Sequence, residues 1–127
     1  MALNVLVVDD SAVMRSIIVK TLRMSGIPLG DVFQAGNGEE GLRILEGNWI
    51  DLALVDIHMP VMDGEQMIQL LRQQPETKDL PVIVVTSESD QHRITLLLQQ
   101  GTGYVSKPFT PEALREAIIK MTGVGNE

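Results

Sequence analysis

The chain has 127 residues, 17 of them acidic and 10 basic, no cysteine, and a formal net charge of −7. That length suits one domain burying its own core, while the charge repels phosphate backbones and anionic lipid, and the missing thiols exclude disulfides, thiolate catalysis and cysteine-bound zinc. The opening MALNVLVVDD has no basic n-region and no apolar run approaches the roughly 18 residues of a membrane helix, so a cytoplasmic protein without nucleic-acid or membrane contacts is expected.

The first apolar run, residues 3–8 (LNVLVV), reads as a strand covered on both faces. It ends on Asp9 and Asp10, and behind them Met14, Ile17, Ile18 and Leu22 recur at helical spacing. A short run at 32–35 (VFQA) follows. Asn37 then precedes Glu40 at capping-box spacing and opens a helix carrying Leu42 and Leu45, with Trp49 expected to pack near its end. The third run, 51–56 (DLALVD), delivers Asp56. Met59 and Pro60 shape the loop beyond it, Asp63 precedes Gln66 at capping spacing, and Met67, Leu70 and Leu71 form the next stripe. The fourth run, 81–86 (PVIVVT), ends in Thr86 and leads to Ile94, Leu97 and Leu98, with His92 on the surface of that helix and Gly101 as its stop. The fifth, 103–106 (GYVS), passes through Lys107 and Pro108, whose bond can be cis or trans, to Thr110 before Pro111 and the stripe Leu114, Ala117, Ile118 and Met121.

Strict alternation of strand and helix implies a parallel sheet with right-handed crossovers and helices on both faces, a three-layer α/β domain. Its ligand site is expected beyond the carboxyl ends of the strands. There stand Asp9, Asp10, Asp56, Thr86 and Lys107. If the first and third strands are neighbours, three carboxylates converge, and a hard divalent cation such as Mg²⁺ relieves their repulsion. Such a cation also neutralises an incoming phosphoryl group, Thr86 offers a hydroxyl donor, and Lys107 offers a compact charge for a phosphoryl oxygen. An Asp attacking phosphorus would give an acyl phosphate.

The strings VLVVDDS, LVDIHMPVMDG, VVTSE and GYVSKPFT, with the Gly38 to Gly41 region of GNGEEGL, occur in this order on the expected strand ends. Through them residues 3–121 resemble the receiver domain of two-component response regulators. The resemblance implies a doubly wound (βα)5, flavodoxin-like fold with strand order 2-1-3-4-5, and a single receiver domain over residues 1–127 without an output domain. It implies Asp56 as phosphoacceptor, Asp10 as the acidic Mg²⁺ ligand, Asp9 as the partner holding the metal through water, and the backbone carbonyl of His58 as a further ligand. Mn²⁺ could substitute. Thr86 and Lys107 match the residues that sense the phosphoryl group, Tyr104 matches the aromatic switch, and the side chains of His58 and Glu88 are placed to tune loss of the phosphate.

The function so implied is a signalling switch and not an enzyme in the ordinary sense. A histidine kinase or phosphotransfer protein donates the phosphoryl group, and the surface of the fourth helix, fifth strand and fifth helix then presents a changed face to a protein target. DDSAVMRSII, with Met14 and Arg15, most resembles chemotaxis-type receivers that act on a flagellar motor switch. A phosphorelay shuttle stays open. A phosphorylation-independent interaction module on the same fold predicts loss of the acid set, which is complete here; a flavin- or nucleotide-binding domain would want a phosphate cradle where DDSAVM places two anions. The sequence departs from the family at Thr102, where Ala is common, which puts the packing of the fourth helix on the fifth strand in question. The small Ser87 preserves access to the phosphoryl site.

Overall fold

The computed structural model describes residues 2–124; Met1 and residues 125–127, the end of GVGNE, lie outside the described residues. The elements run β1 (Leu3–Val8), α1 (Ala12–Met24), β2 (Leu29–Ala35), α2 (Gly38–Gly47), β3 (Leu52–Val55), α3 (Gly64–Arg72), β4 (Val82–Thr86), α4 (Gln91–Leu98), β5 (Gly103–Ser106) and α5 (Pro111–Thr122). All strand pairs are parallel, and the order is β2-β1-β3-β4-β5, as the resemblance implies.

Successive side chains of a strand face opposite ways, and the two faces of this sheet make separate cores. Leu3, Val5 and Val7 of β1 join Leu54, Ile83 and Val85 against Ile18 and Leu22 of α1 and Leu114 and Ile118 of α5. Leu6 and Val8 join Ala53, Val55, Val82 and Val84 against Met67, Ile68 and Leu71 of α3 and Leu97 of α4, with Leu42 and Leu45 of α2 at the margin. Because β3 and β4 are buried on both faces, they are apolar runs, broken only by Thr86 at the end of β4. Among the described residues no helix is long and apolar enough to cross a membrane.

Three departures from the sequence reading have physical causes. The edge strand β2 starts at Leu29, three residues before the expected 32, because its exposed Gly30 and Asp31 lack an apolar signature. β3 is shorter than 51–56. Asp51 serves instead as its anchor, accepting the Asn4 N–H at 2.8 Å and donating its own N–H to the Asn4 carbonyl at 2.8 Å. Trp49 does not pack at the end of α2. The extended Asn48 carries the chain away from the helix, leaving the indole 78% exposed with its N–H donated to Asp51 Oδ1 at 2.9 Å.

The starts of α2, α3 and α5 fall where expected, and α1 and α4 are capped by Ser11 and Asp90. Asn37 and Thr110 accept the N–H of Glu40 and Ala113 at 2.9 and 3.1 Å, and Asp63 with Gln66 forms a reciprocal capping box. At Asn37 only the cap's own bond is present, without a return bond from Glu40. Gly101 takes the left-handed conformation two residues past the C-cap Gln99. Thr102 does not loosen this corner: its buried hydroxyl donates to the Leu97 carbonyl at 3.0 Å, adding a side-chain bond to an oxygen that already accepts the Gln100 N–H at 2.9 Å. The Lys107–Pro108 bond is cis.

The loop between β3 and α3 is held from both sides. Gly38 donates its N–H to the Met62 carbonyl and Gly64 donates to that of Ile57, both at 2.9 Å. Gly64 starts α3 so close to the strand end that a β-carbon there would lie 2.2 Å from the Asp56 carbonyl oxygen. Backbone cannot yield as a flexible side chain does. Gly64→Ala should therefore lose about 2 kcal/mol of stability, the usual scale of an overpacked site. Urea unfolding measures it, and a midpoint equal to that of the native chain would show that the loop can move aside.

Candidate functional site

The register of the central strands sets the site. Val8 of β1 pairs with Val55 of β3, so the next residues, Asp9 and Asp56, emerge side by side at the carboxyl edge. Ladder-like bonds continue past the strands: Asp56 donates its N–H to the Val8 carbonyl at 2.9 Å, Asp9 to that of Ala35 at 3.1 Å, and Lys107 to that of Thr86 at 2.9 Å. Each backbone is thus fixed to a neighbouring strand before its side chain makes a contact.

The Lys107 ammonium lies 2.9 Å from Asp9 Oδ2 and 3.1 Å from Asp56 Oδ2. The other carboxylate oxygens take backbone donors, Ser11 N–H to Asp9 Oδ1 at 2.9 Å and Ile57 N–H to Asp56 Oδ1 at 2.7 Å. Burial alone would lower the pKa of Lys107. The hydrogen bond to Asp9, with the charge of and bond to Asp56, outweighs that and raises it, so the lysine is held as the cation. Asp10 is exposed, while Asp9 and Asp56 are buried. Each of the three presents a carboxylate oxygen within 4.8 Å of the others. Three anionic oxygens opposite one ammonium form the hard donor set that suits Mg²⁺, which keeps several waters and needs no complete protein cage.

Two further groups border this cluster. Thr86 is fully buried, its hydroxyl accepting the Glu88 N–H at 3.2 Å. Tyr104, on β5, donates its hydroxyl to the Glu88 carbonyl at 3.2 Å. The Glu88 carboxylate meets His58 Nε2 at 3.0 Å and an Arg93 nitrogen at 3.1 Å, and its second oxygen accepts the N–H groups of Ser89 and Asp90, each at 3.0 Å. Its pKa is lowered, most by the Asp90 N–H; burial opposes this, and the Ser89 N–H and the charges of Arg93 and His58 add to the lowering.

The structure therefore brings together Asp9, Asp10, Asp56 and Lys107, sets Thr86 at the adjoining strand end, and joins His58, Glu88 and Tyr104 in one chain of contacts. His92 lies exposed in the first turn of α4, as expected. The sequence reading missed three participants. Arg15 donates to the Asp9 carbonyl at 2.6 Å and to Gln34 Oε1 at 3.1 Å, steadying the first acid loop. Arg93 pairs with Glu65 of α3 as well as with Glu88. A signal for Arg93 was present, since a cation in the first turn of a helix opposes the helix dipole and calls for a partner elsewhere.

Comparison with known proteins agrees with this geometry. The family described as response regulator receiver domain matches residues 5–119. A chemotaxis protein CheY homolog of Campylobacter jejuni is 35% identical over 126 residues, covering 98% of this chain and 95% of that protein. The chemotaxis protein CheY of Pseudomonas aeruginosa is 36% identical over 120 residues, covering 94% and 95%. Among solved structures, chemotaxis response regulator CheY4 of Vibrio cholerae has a TM-score of 0.83 at 30% identity, covering 95% of this chain and 99% of that one. The receiver domain of a Pseudomonas aeruginosa sensor histidine kinase, with a magnesium ion coordinated in its active site cleft, has a TM-score of 0.83 at 27% identity, covering 97% and 99%.

A cation bound only by the folded state at about 100 times its dissociation constant adds about 2.7 kcal/mol of stability. Saturating Mg²⁺ should raise the thermal midpoint accordingly. Asp10→Asn should lose most of that increment, while being no less stable than the native chain without metal because one like charge is gone. An equal Mg²⁺ shift in both proteins, read by scanning calorimetry, would place the cation elsewhere.

Proposed function

The chain belongs to the response regulator receiver family, and from that premise we propose that it is a phosphorylation switch in which Asp56 takes a phosphoryl group from a phosphohistidine. The observation that carries the proposal is the Lys107 ammonium shared between Asp9 and Asp56 beside a third carboxylate, Asp10. A carboxylate oxygen of Asp56 forms the new O–P bond as the N–P bond of the donor breaks, and the bonding pair returns to the donor imidazole.

Asp9, Asp10 and Asp56, with the backbone carbonyl of His58, would hold Mg²⁺ or Mn²⁺, which when bound supplies charge neutralisation to the phosphoryl oxygens. Lys107 then turns one of its N–H donors from carboxylate to phosphoryl oxygen, which its position beside Asp56 allows without backbone movement. The Thr86 hydroxyl, now an acceptor for the Glu88 N–H, becomes a donor to the phosphoryl group. That exchange releases the Glu88 backbone, and Tyr104, tied to the Glu88 carbonyl, moves toward the space Thr86 leaves. The face made by α4, β5 and α5 is altered, and a protein target reads the change.

His58 and Glu88 border the acceptor from the loops after β3 and β4, so their side chains regulate the approach of hydrolytic water. The phosphoryl donor is a histidine kinase or phosphotransfer protein. The chemotaxis proteins among the relatives favour a motor-switch target over a phosphorelay role. In this reading residues 1–127 act as one receiver, a switch that promotes only its own gain and loss of phosphate.

Incubation with a small phosphodonor and Mg²⁺ should add the mass of one phosphoryl group to the native chain and none to Asp56→Asn. Intact mass spectrometry reads this, and equal labelling of both would end the proposal. Thr86→Ala should still gain the mass, yet its α4, β5 and α5 amides should exchange hydrogen as in the unphosphorylated protein. Full native-like change in that variant would remove Thr86 from the relay.

A further inference from the structure

The proposed phosphotransfer leaves Arg93 unused, although it touches a group at the edge of the site. Arg93 sits in the first turn of α4, where the helix dipole disfavours a cation, yet its side chain is only 34% exposed and its guanidinium reaches two carboxylates on other elements. One is Glu65, 32% exposed, in the first turn of α3. The other is Glu88 in the loop after β4, at 3.1 Å and 12% exposed. The oxygen of Glu88 that Arg93 touches is the one His58 Nε2 meets at 3.0 Å.

We infer that Arg93 is a positioning residue for the lifetime of the acyl phosphate: clasped to Glu65, it holds the Glu88 carboxylate against His58 across the entrance to Asp56. The inference rests on the phosphorylation reading above. His58 stands two residues beyond Asp56 and Glu88 two beyond Thr86, so their paired side chains bridge the gap between the carboxyl ends of β3 and β4. Hydrolysis needs a water there. Its oxygen forms a bond to phosphorus opposite the Asp56 oxygen, the O–P bond to Asp56 breaks with its electron pair returning to the carboxylate, and the water's proton leaves to solvent.

Ser89 and Asp90 fix one Glu88 oxygen through backbone N–H groups, so the carboxylate stays in the loop whatever Arg93 does. What Arg93 decides is the direction of the other oxygen. With the clasp intact that oxygen is directed at His58 and the entrance is narrow. Without it, the side chain turns toward solvent and water passes. Glu65 matters only through Arg93, because it lies on α3 and orients the guanidinium from the far side.

The test labels the protein with a small phosphodonor and Mg²⁺, removes the donor, and follows decay of the phosphoryl mass. Arg93→Gln should shorten the lifetime about fivefold, the upper range for an ion pair of this exposure. Glu65→Gln should act in the same direction and Arg93→Lys should fall between native and Arg93→Gln, since a lysine serves one carboxylate where the guanidinium serves two. In a Glu88→Gln background, Arg93→Gln should add nothing further. Unchanged decay in Arg93→Gln, with or without a lower melting temperature, overturns the inference. So does an acceleration that persists undiminished in the Glu88→Gln background. A native chain that never gains phosphate overturns the phosphorylation reading and this inference with it, whereas a labelled native chain with clasp-insensitive decay removes the clasp alone.

Discussion

Everything at the carboxyl edge of the sheet follows from like charges that the strand register forces together. Carboxylate oxygens lie within 4.8 Å of one another here, and two unit charges at that distance in a medium of effective dielectric near 20 repel by roughly 3 kcal/mol. Lys107, about 3 Å from Asp9 and from Asp56, offsets the repulsion between those two. Its ion pairs are with Asp9 and Asp56, not with Asp10. The cluster therefore keeps an excess of negative charge in its folded form, and a chain selected only for stability would have replaced one acid. The arrangement makes physical sense as a site kept ready for further positive charge, or for a group that brings its own.

Holding such a cluster requires backbone that cannot relax away from it. The ladder bonds beyond β1, β3 and β5 provide that on the strand side. On the loop side, Val61 has φ of 66°, a left-handed conformation that a β-branched residue adopts only at a cost of about 1 to 3 kcal/mol. The conformation persists because its two neighbours are joined across it, the Met62 N–H donating to the Pro60 carbonyl at 2.7 Å, while the Met62 carbonyl accepts from Gly38 and, at the head of the loop, the Ile57 carbonyl accepts from Gly64. Strain in the loop after Asp56 is thus balanced by packing of α2 and α3. This connects the glycines at the starts of those helices to the position of a carboxylate they never touch.

How much of this could be read beforehand depended on whether the signal was local. β1, β3 and β4 announce themselves because burial on both faces leaves them almost wholly apolar, with Asn4 and Thr86 as their polar positions; β2, at the edge, shows only its inner half. The starts of α2, α3 and α5 were legible because a cap is a contact three residues long, whereas the caps Ser11 and Asp90 of α1 and α4 went unread. The site residues were legible through their motifs and their expected strand ends, and the strand order came with the family likeness. Arg93 carried a local hint as a cation in the first turn of a helix, but its pairing with Glu65 carried none, since 28 residues separate them and their meeting depends on how α3 and α4 lie on the sheet. Trp49 misled for the opposite reason: its size suggests burial, and only the extended turn after α2 shows why it faces water.

Glu88 is where the separate contacts meet, and the strengths of its bonds differ in kind. Its amide to Thr86 and its carbonyl to the Tyr104 hydroxyl are both bridged at 3.2 Å, the long end of the range for neutral hydrogen bonds. Its carboxylate is held by His58, Arg93 and two backbone donors at 3.0 to 3.1 Å, and bonds to a charged group are about twice as strong as neutral ones. A disturbance at the strand end will therefore break the backbone links first and leave the carboxylate in place. On the proposed reading, that ordering lets Thr86 and Tyr104 change partners while the entrance beside Asp56 stays closed, so signalling and loss of phosphate are separable properties of one residue. The separation is built from distance and charge alone, and it assigns the backbone of Glu88 to the signal and its side chain to the lifetime.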